Sequence, residues 1–111
     1  MKNFDYDELT DSLFISRKTS KDKVNGSAEI GNIILDFDSS GKIINVEFKK
    51  ISNFLETIKI DTNILENLID ASLIVQKQRG AISIFALLKT PLLEQPVPLV
   101  TIPMADVLPS A

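Results

Sequence analysis

Residues 33–48, IILDFDSSGKIINVEF, decide the fold, because apolar and polar residues alternate on both sides of Ser-Ser-Gly. Two period-2 segments around such a turn predict a β-hairpin. The register that matches the apolar faces pairs Phe37 with Ile44, Leu35 with Val46, and Ile33 with Phe48, which leaves Ser40-Gly41 as the loop. A three-residue loop with Gly41 in a left-handed bulge would shift this register by one residue.

Part of the same stretch, residues 36–47, has the spacing of a calcium-binding EF-hand loop. The ligands would be Asp36, Asp38, Ser40 and Glu47, with Gly41 at the sharp turn. The motif needs a helix on each side, and both flanks here alternate as strands. At about 3.3 Å per residue, Glu47 would lie roughly 20 Å from Gly41. We therefore predict a hairpin turn and no metal site, with Asp36 and Asp38, which share a face, as weak candidates for a cation.

The preceding residues favour a further strand and a loop. In residues 11–18, Leu13 and Ile15 alternate with Ser12, Phe14 and Ser16, which favours a short strand. Residues 19–27 are polar and contain Asn25-Gly26, as is typical of a turn or flexible loop.

After the hairpin the apolar period becomes helical, over residues 51–60 with Ser52 as a candidate N-cap. It stays helical over residues 61–71, where Asp61 or Thr62 is the candidate cap. These patterns predict two short helices or one broken helical segment.

The period returns to two in residues 72–79 and 81–89, which flank Gly80 and predict a second hairpin. Ala81 to Leu88 is apolar on both faces except at Ser83, which indicates a central strand covered on both sides. Residues 96–103 are extended, but Pro98 makes them an edge strand or a strand that starts beyond it.

The order predicts an α+β fold within a single domain, residues 1–111. It comprises a β-meander of three strands, a short helical segment, and a second antiparallel meander of two or three strands. Consecutive strands form meanders here, rather than alternating with helices.

Composition narrows the function. A net charge of −3 argues against nonspecific binding to nucleic acid. Cysteine and histidine are absent, which removes thiolate sites, the commonest zinc ligand and the commonest general base. We therefore expect no enzyme activity and no cofactor. The acidic start is not a signal peptide, and no run reaches the roughly 18 apolar residues of a membrane span, so we expect a cytoplasmic protein.

Two charged clusters have simple structural explanations. The N-terminal carboxylates, Asp5, Asp7, Glu8 and Asp11, are expected to form a turn, with Asp11 capping or bonding to backbone before the strand. The cations of residues 17–23, namely Arg17, Lys18, Lys21 and Lys23, are expected on a solvated loop. Contact with an anion or an acidic partner is the alternative for this loop.

Several short motifs together resemble domain of unknown function 2283, a family of short prokaryotic proteins. The matching pieces over residues 4–55 are Tyr6-Asp7, Asp11-x-Leu13-Phe14-Ile15, Ile34-Leu35-Asp36-Phe37-Asp38, Gly41-Lys42-Ile43 and Val46-Glu47-Phe48. Phe14 replaces the usual tyrosine, and Asn45 stands where the family commonly has glycine. The resemblance implies a β-meander followed by a helix, with no established activity. Some members lie beside small toxin-like genes, which implies an antitoxin or partner-binding role.

These observations lead to three hypotheses. The first is a non-enzymatic protein-binding module, of which an antitoxin-like partner of a small protein is one form. Its contacts would lie at the strand edge near residues 97–102 and at the apolar tail, residues 104–111. The second is a self-associating structural protein, most simply a homodimer, because residues 81–102 are densely apolar. The third is a carboxylate-based enzyme or cation-binding protein that uses Asp36, Asp38 and Asp11.

Overall fold

The structure is a computed structural model, and it describes residues 3–103. Within this range the chain forms eight strands, one α-helix and one 3-10 helix. The strands are β1 (Phe4–Asp7), β2 (Ser12–Ser16), β3 (Gly26–Ile30), β4 (Ile33–Phe37), β5 (Ile43–Lys49), β6 (Asp70–Gln78), β7 (Ala81–Lys89) and β8 (Glu94–Pro103). Helix α1 (Ile51–Thr57) and the 3-10 helix (Thr62–Asn67) connect β5 to β6.

The strands form two antiparallel sheets. The first has five strands in the order β1-β2-β5-β4-β3, and the second has three in the order β6-β7-β8. The α+β prediction is wrong, because the described chain is mostly β with one short helix. Two strands that the prediction lacks, β1 and β3, account for much of the additional β structure. The two-residue turn Gly31-Asn32 separates β3 from β4.

The β4–β5 hairpin confirms two of its three expected pairs, Leu35 with Val46 and Ile33 with Phe48. The third pair is wrong: Phe37 lies opposite Ile43, because a β-bulge at Ile44 shifts the register. A bulge inserts one extra residue into a strand. As a result Ile43 returns to the core, while Ile44 is fully buried outside the core cluster.

The helical region is shorter than expected. Asp61 caps the 3-10 helix by accepting a hydrogen bond from the backbone N–H of Asn63, as predicted. Ser52 is not an N-cap, because α1 begins one residue earlier and Lys50 occupies the cap position with φ +56°. Residues 68–71 are not helical, since β6 begins at Asp70 and pairs along its whole length with β7.

The second sheet follows the predicted hairpin. Gln78 pairs with Ala81 across a turn in which Gly80 has φ +77°. Strand β8 is an edge strand, as expected, but it begins at Glu94 and so contains Pro98 rather than starting beyond it. A bulge opposite Ile84 and Phe85 lets both Leu99 and Val100 pack on the core.

The core lies between the sheets and draws on both halves of the chain. Its members on the first sheet include Leu13, Ile15, Leu35, Val46 and Phe48; those on the second include Ala71, Leu73, Ile84, Ala86, Leu88 and Val97. Ile51 and Leu55 from α1, and Ile64 and Leu65 from the 3-10 helix, pack against them. Neither helix in residues 3–103 is long and apolar enough to cross a membrane.

Candidate functional site

The Asp38 carboxylate organises the turn that resembles a calcium loop. Its Oδ1 accepts hydrogen bonds from the Ser40 backbone N–H (2.9 Å), the Ser40 hydroxyl (2.7 Å) and the Lys42 backbone N–H (2.9 Å). The Ser40 hydroxyl, followed by the Lys42 amide, lowers the pKa of Asp38 below its ordinary value. Gly41 has φ +86°, a left-handed conformation that glycine adopts without steric cost. Asp38 therefore acts as a turn-forming side chain.

The other EF-hand positions lie apart from this turn. Asp36 accepts hydrogen bonds from the Ser27 hydroxyl (2.7 Å) and from Nδ2 of Asn45 (3.0 Å). Glu47 lies farther along β5, between Phe14 and Ile34 of the neighbouring strands. Within residues 3–103 no three histidine, cysteine or acidic side chains are grouped closely enough to hold a metal ion. Asp36 and Asp38 thus belong to separate hydrogen-bond systems.

Asp11 joins the β1–β2 turn to the start of α1. Its carboxylate accepts hydrogen bonds from the Tyr6 hydroxyl (2.8 Å), the Ser52 hydroxyl and the Ser52 backbone N–H (3.2 Å), and its carbonyl accepts one from the Ile51 N–H (3.0 Å). Asp11 has φ +54°, which aspartate tolerates better than most residues. The first turn of α1 is thus capped by a residue 41 positions before Ser52. Burial, together with the hydrogen bond to Asp11, raises the pKa of Tyr6 to about 12.

The basic segment, residues 17–23, is partly tied to the first sheet. Arg17 donates from its backbone N–H to the Ile44 carbonyl (2.8 Å) and from Nε to the Ile43 carbonyl (2.7 Å), beside the β5 bulge. Asp22 lies within the segment and forms an ion pair with Lys42 at 3.5 Å. Lys18, Lys21 and Lys23 are exposed. The segment therefore carries mixed charge, with Arg17 in a structural position.

The solvent side of the first sheet, here the polar outer face, is typical of a surface sheet. Its residues, which alternate with core residues, include Asp5, Phe14, Ser16, Glu29, Ile34, Asp36, Asn45 and Glu47. Phe14 is 37% exposed and lies beside Asp5 and Glu47. A shallow depression of about 230 Å³ is lined by these three residues and by Asp7, Thr10 and Ser12. Carboxylates and hydroxyls thus keep this face hydrated.

The solvent side of the second sheet has the opposite character. This β6–β8 outer face consists of Ser72, Ile74 and Gln76 on β6, Ser83, Phe85 and Leu87 on β7, and Pro96, Pro98 and Thr101 on β8. None of these nine side chains is charged, and the charged row Asp70, Lys89 and Glu94 ends the same face. Ile74 is 38% exposed, Phe85 and Leu87 are half-buried, and Ser83 is buried. Neither Phe85 nor Leu87 is among the side chains packed on the core of the described residues. Contiguous apolar surface of this kind marks an interaction site.

The free edge of β8 is poorly suited to binding another strand. Pro96 lies opposite Leu87, and Pro98 lies opposite Phe85. Because proline has no N–H, these two positions offer no backbone donor, and prolines at an edge block the addition of a further strand. These prolines therefore argue against the contact that we expected along the edge at residues 97–102. The apolar tail, residues 104–111, lies outside the described residues.

Two grooves flank the helical connection. One of about 380 Å³ lies between the β3–β4 turn and α1, where Phe48 and Phe54 stack with ring centroids 4.8 Å apart. The other, about 360 Å³, lies between the 3-10 helix and the β7–β8 loop. The loop side carries Leu92, which is 93% exposed, and Leu93. Both grooves are open, and their polar groups do not converge on a point, unlike those of a typical ligand pocket.

Comparison with known proteins identifies the first half of the chain. No curated protein and no solved structure matches the chain. The model of a family described as a protein of unknown function, DUF2283, matches residues 3–52. This range holds the first sheet, Asp11 and its partners Tyr6 and Ser52, and it ends just inside α1. The resemblance inferred from the sequence is confirmed over residues 3–52, which match the DUF2283 family model.

Proposed function

We propose that the protein is a non-enzymatic binding module of the cytoplasm, and that it binds another protein chain through its β6–β8 outer face. One observation carries the proposal. Of the two outward sheet faces, the one in the family domain bears carboxylates and hydroxyls, whereas the other bears Ile74, Phe85, Leu87, Pro96 and Pro98. Apolar surface of this extent gains free energy when it leaves water.

The dimensions of this face fit a protein contact. Strands of nine residues, at about 3.3 Å each, give a length of roughly 30 Å, and three strands at about 4.8 Å give a width of roughly 14 Å. The flat area is therefore about 430 Å². Four of the nine side chains of the face are polar, so its apolar part is smaller than this area and fits a small protein contact.

The proposal that the protein is not an enzyme has chemical support. Tyr6 has a raised pKa, but its hydroxyl donates to Asp11, whose carboxylate is also bound by Ser52. These three groups hold a turn against a helix. Cation binding has less support, because Asp38 already accepts three hydrogen bonds from its own turn.

The antitoxin-like role is one form of this proposal, with the product of an adjacent toxin-like gene as the partner. The test is to co-express the protein with the product of each adjacent gene and to measure co-purification. Phe85→Lys should abolish binding, because it places a charge in the centre of the apolar face. Phe14→Lys is the matched control, since Phe14 is an outward phenylalanine on the other sheet, beside Asp5 and Glu47.

Co-purification that persists in Phe85→Lys and disappears in Phe14→Lys would move the contact to the polar outer face and refute the proposed surface. Thermal melts of both variants must match the melt of the wild type, so that lost binding is not lost folding.

A further inference from the structure

We infer that the resident occupant of the β6–β8 outer face is a second copy of this chain, packed face to face about a two-fold axis along the row Ile74–Phe85–Pro98. This inference rests on the proposed function, because it names the partner of the same surface. These residues are paired across the sheet, Ile74 with Phe85 and Phe85 with Pro98. Ile74 is the fifth of nine residues in β6, and Phe85 is the fifth of nine in β7, so the row crosses the middle of the face.

The chemistry of the centre selects an uncharged partner surface. Burying an unpaired charge costs several kcal/mol, so a face with no charged side chain excludes a charged partner. The polar outer face, with Asp5, Glu29 and Glu47, is unsuitable for this reason. The same β6–β8 outer face on another copy is uncharged and of equal size, and two such sheets pack about 10 Å apart.

The charges at the two ends of the sheet select the antiparallel arrangement. One end carries Asp70, Lys89 and Glu94, which are neighbours across the three strands, with Lys89 and Glu94 at 3.6 Å. The other end carries the turn residue Arg79, whereas Lys77 lies on the opposite face of β6, in register with Ile82. The net charges of the two ends of the outer face are therefore −1 and +1.

An axis across the strands reverses strand direction and keeps β6 over β6 of the other copy. It therefore brings Asp70 of each copy to the end that holds Arg79 of the other, twice by symmetry. An axis along β7 would instead bring Asp70 of each copy opposite Glu94 of the other, and Lys89 opposite Lys89. Opposite charges at an interface fix its register, and like charges oppose it.

The expected dimer is weak. Two faces of about 430 Å² give about 900 Å² in total, below the roughly 1,200–2,000 Å² of stable standard interfaces. We therefore expect a concentration-dependent equilibrium between monomer and dimer, with a dissociation constant in the micromolar range.

The absence of native cysteine allows a precise test of the geometry. In Phe85→Cys the new thiols face each other at the axis, so a short thiol cross-linker should join two copies. In Leu87→Cys, each thiol lies two residues from the axis, about 13 Å from its mate, and should not react with it. A mixture of Leu87→Cys and Ser83→Cys should form mixed dimers, because the axis places these positions opposite each other.

Sedimentation equilibrium of the full chain tests the dimer itself. Phe85→Lys should raise the dissociation constant at least about 100-fold, since the change occurs twice at the centre of the interface, while Phe14→Lys should leave it unchanged. Asp70→Arg should weaken the dimer, and adding Arg79→Asp should restore it. Cross-linking of Leu87→Cys to itself as readily as Phe85→Cys would refute the antiparallel arrangement.

A wild-type chain that remains monomeric at millimolar concentration would overturn the inference. The occupant of the face would then be another protein or residues 104–111. That result would leave the proposed function open to its own test, the co-purification with an adjacent gene product. The two failures are therefore distinguishable.

Discussion

Replacing Asp11 should destabilise the protein more than any other single change in its exposed turns. The carboxylate caps α1, and loss of a helix cap costs about 1 kcal/mol. The carboxylate also accepts a hydrogen bond from the Tyr6 hydroxyl. Leaving this half-buried donor without its partner lowers the free energy of unfolding by about 1 kcal/mol more. Alanine at φ +54° adds about 1 kcal/mol of backbone strain. Asp11→Ala should therefore lower the free energy of unfolding by about 3 kcal/mol.

Two companion variants separate these contributions. Asp11→Gly removes the side chain and also relieves the backbone, so it should cost about 1 kcal/mol less than Asp11→Ala. Asp11→Asn tolerates the left-handed conformation but replaces one acceptor oxygen with a donor, and should cost about 1.5 kcal/mol. The expected order of stability is wild type, then Asp11→Asn, Asp11→Gly and Asp11→Ala.

Urea denaturation monitored by circular dichroism gives these differences, provided that the slope with denaturant is unchanged. For a domain of this size, a loss of 3 kcal/mol should lower the melting temperature by roughly 12 °C. Asp7→Ala is the control: Asp7 is exposed in the same turn and accepts a single hydrogen bond, from the Leu9 N–H, so it should cost under about 0.5 kcal/mol. A loss below about 1 kcal/mol for Asp11→Ala would refute this account of the Asp11 contacts.

Three further predictions concern single residues. The pKa of Tyr6 rises from 10.0 to about 12 on folding, because the folded state holds the phenol proton more tightly. The free energy of unfolding should therefore fall between pH 10 and 12. Urea titrations of Tyr6→Phe at alkaline pH should lack the share of this fall that Tyr6 causes. Hydrogen bonds from Ser40 lower the pKa of Asp38 from 3.8, so its contribution to stability is present above about pH 4 and is lost in acid. The stability deficit of Asp38→Asn at pH 7 should therefore shrink as the pH falls through the lowered pKa of Asp38. Lys50→Gly should raise the urea midpoint, by about 0.5 kcal/mol in stability, because φ is +56° there, whereas Lys50→Ala should not.

The sequence predicts the hairpin around Gly41 well because pattern and turn chemistry agree there. Its single error, the pairing of Phe37, arises from the bulge at Ile44. A strictly alternating strand would direct Ile44 inward and Ile43 outward. The bulge allows both to be buried, and Arg17 donates hydrogen bonds to the carbonyls of these two residues. That contact lies 26 positions away in sequence and leaves no local signal.

The helical prediction failed where two patterns compete. Leu68 and Ile69 continue a helical stripe, yet Ile69 is 55% exposed and the next residue starts β6. Pairing with β7 overrides the local preference, as tertiary contacts often do. Strand β1 was detectable, since Phe4 and Tyr6 alternate with acidic residues. In β3 only Ala28 and Ile30 alternate with polar residues, a weak signal that the turn at Gly31 supplements.

The candidate surface was only half predicted. Apolar residues on both faces of β7 indicated a strand covered on both sides, and the described residues cover only the face that holds Ile84, Ala86 and Leu88. The cap formed by Asp11 could not be predicted at all, because a side chain that caps a helix 41 positions away follows no local rule.

The boundary of the family match constrains what the family domain can do alone. The match ends at residue 52, but the inner face of its sheet, with Leu13, Ile15, Leu35 and Val46, is buried by packing that includes residues from beyond that boundary. Exposing these four side chains would cost roughly 1.5–3 kcal/mol each. Any chain that contains only the matched part must therefore cover this face by other means, such as a second copy. In this protein β6–β8 covers it internally, and the proposed partner surface lies on the opposite side of that sheet. Partner choice should therefore follow the sequence of β6–β8, outside the family match, so that exchanging residues 70–103 between relatives should exchange their partners.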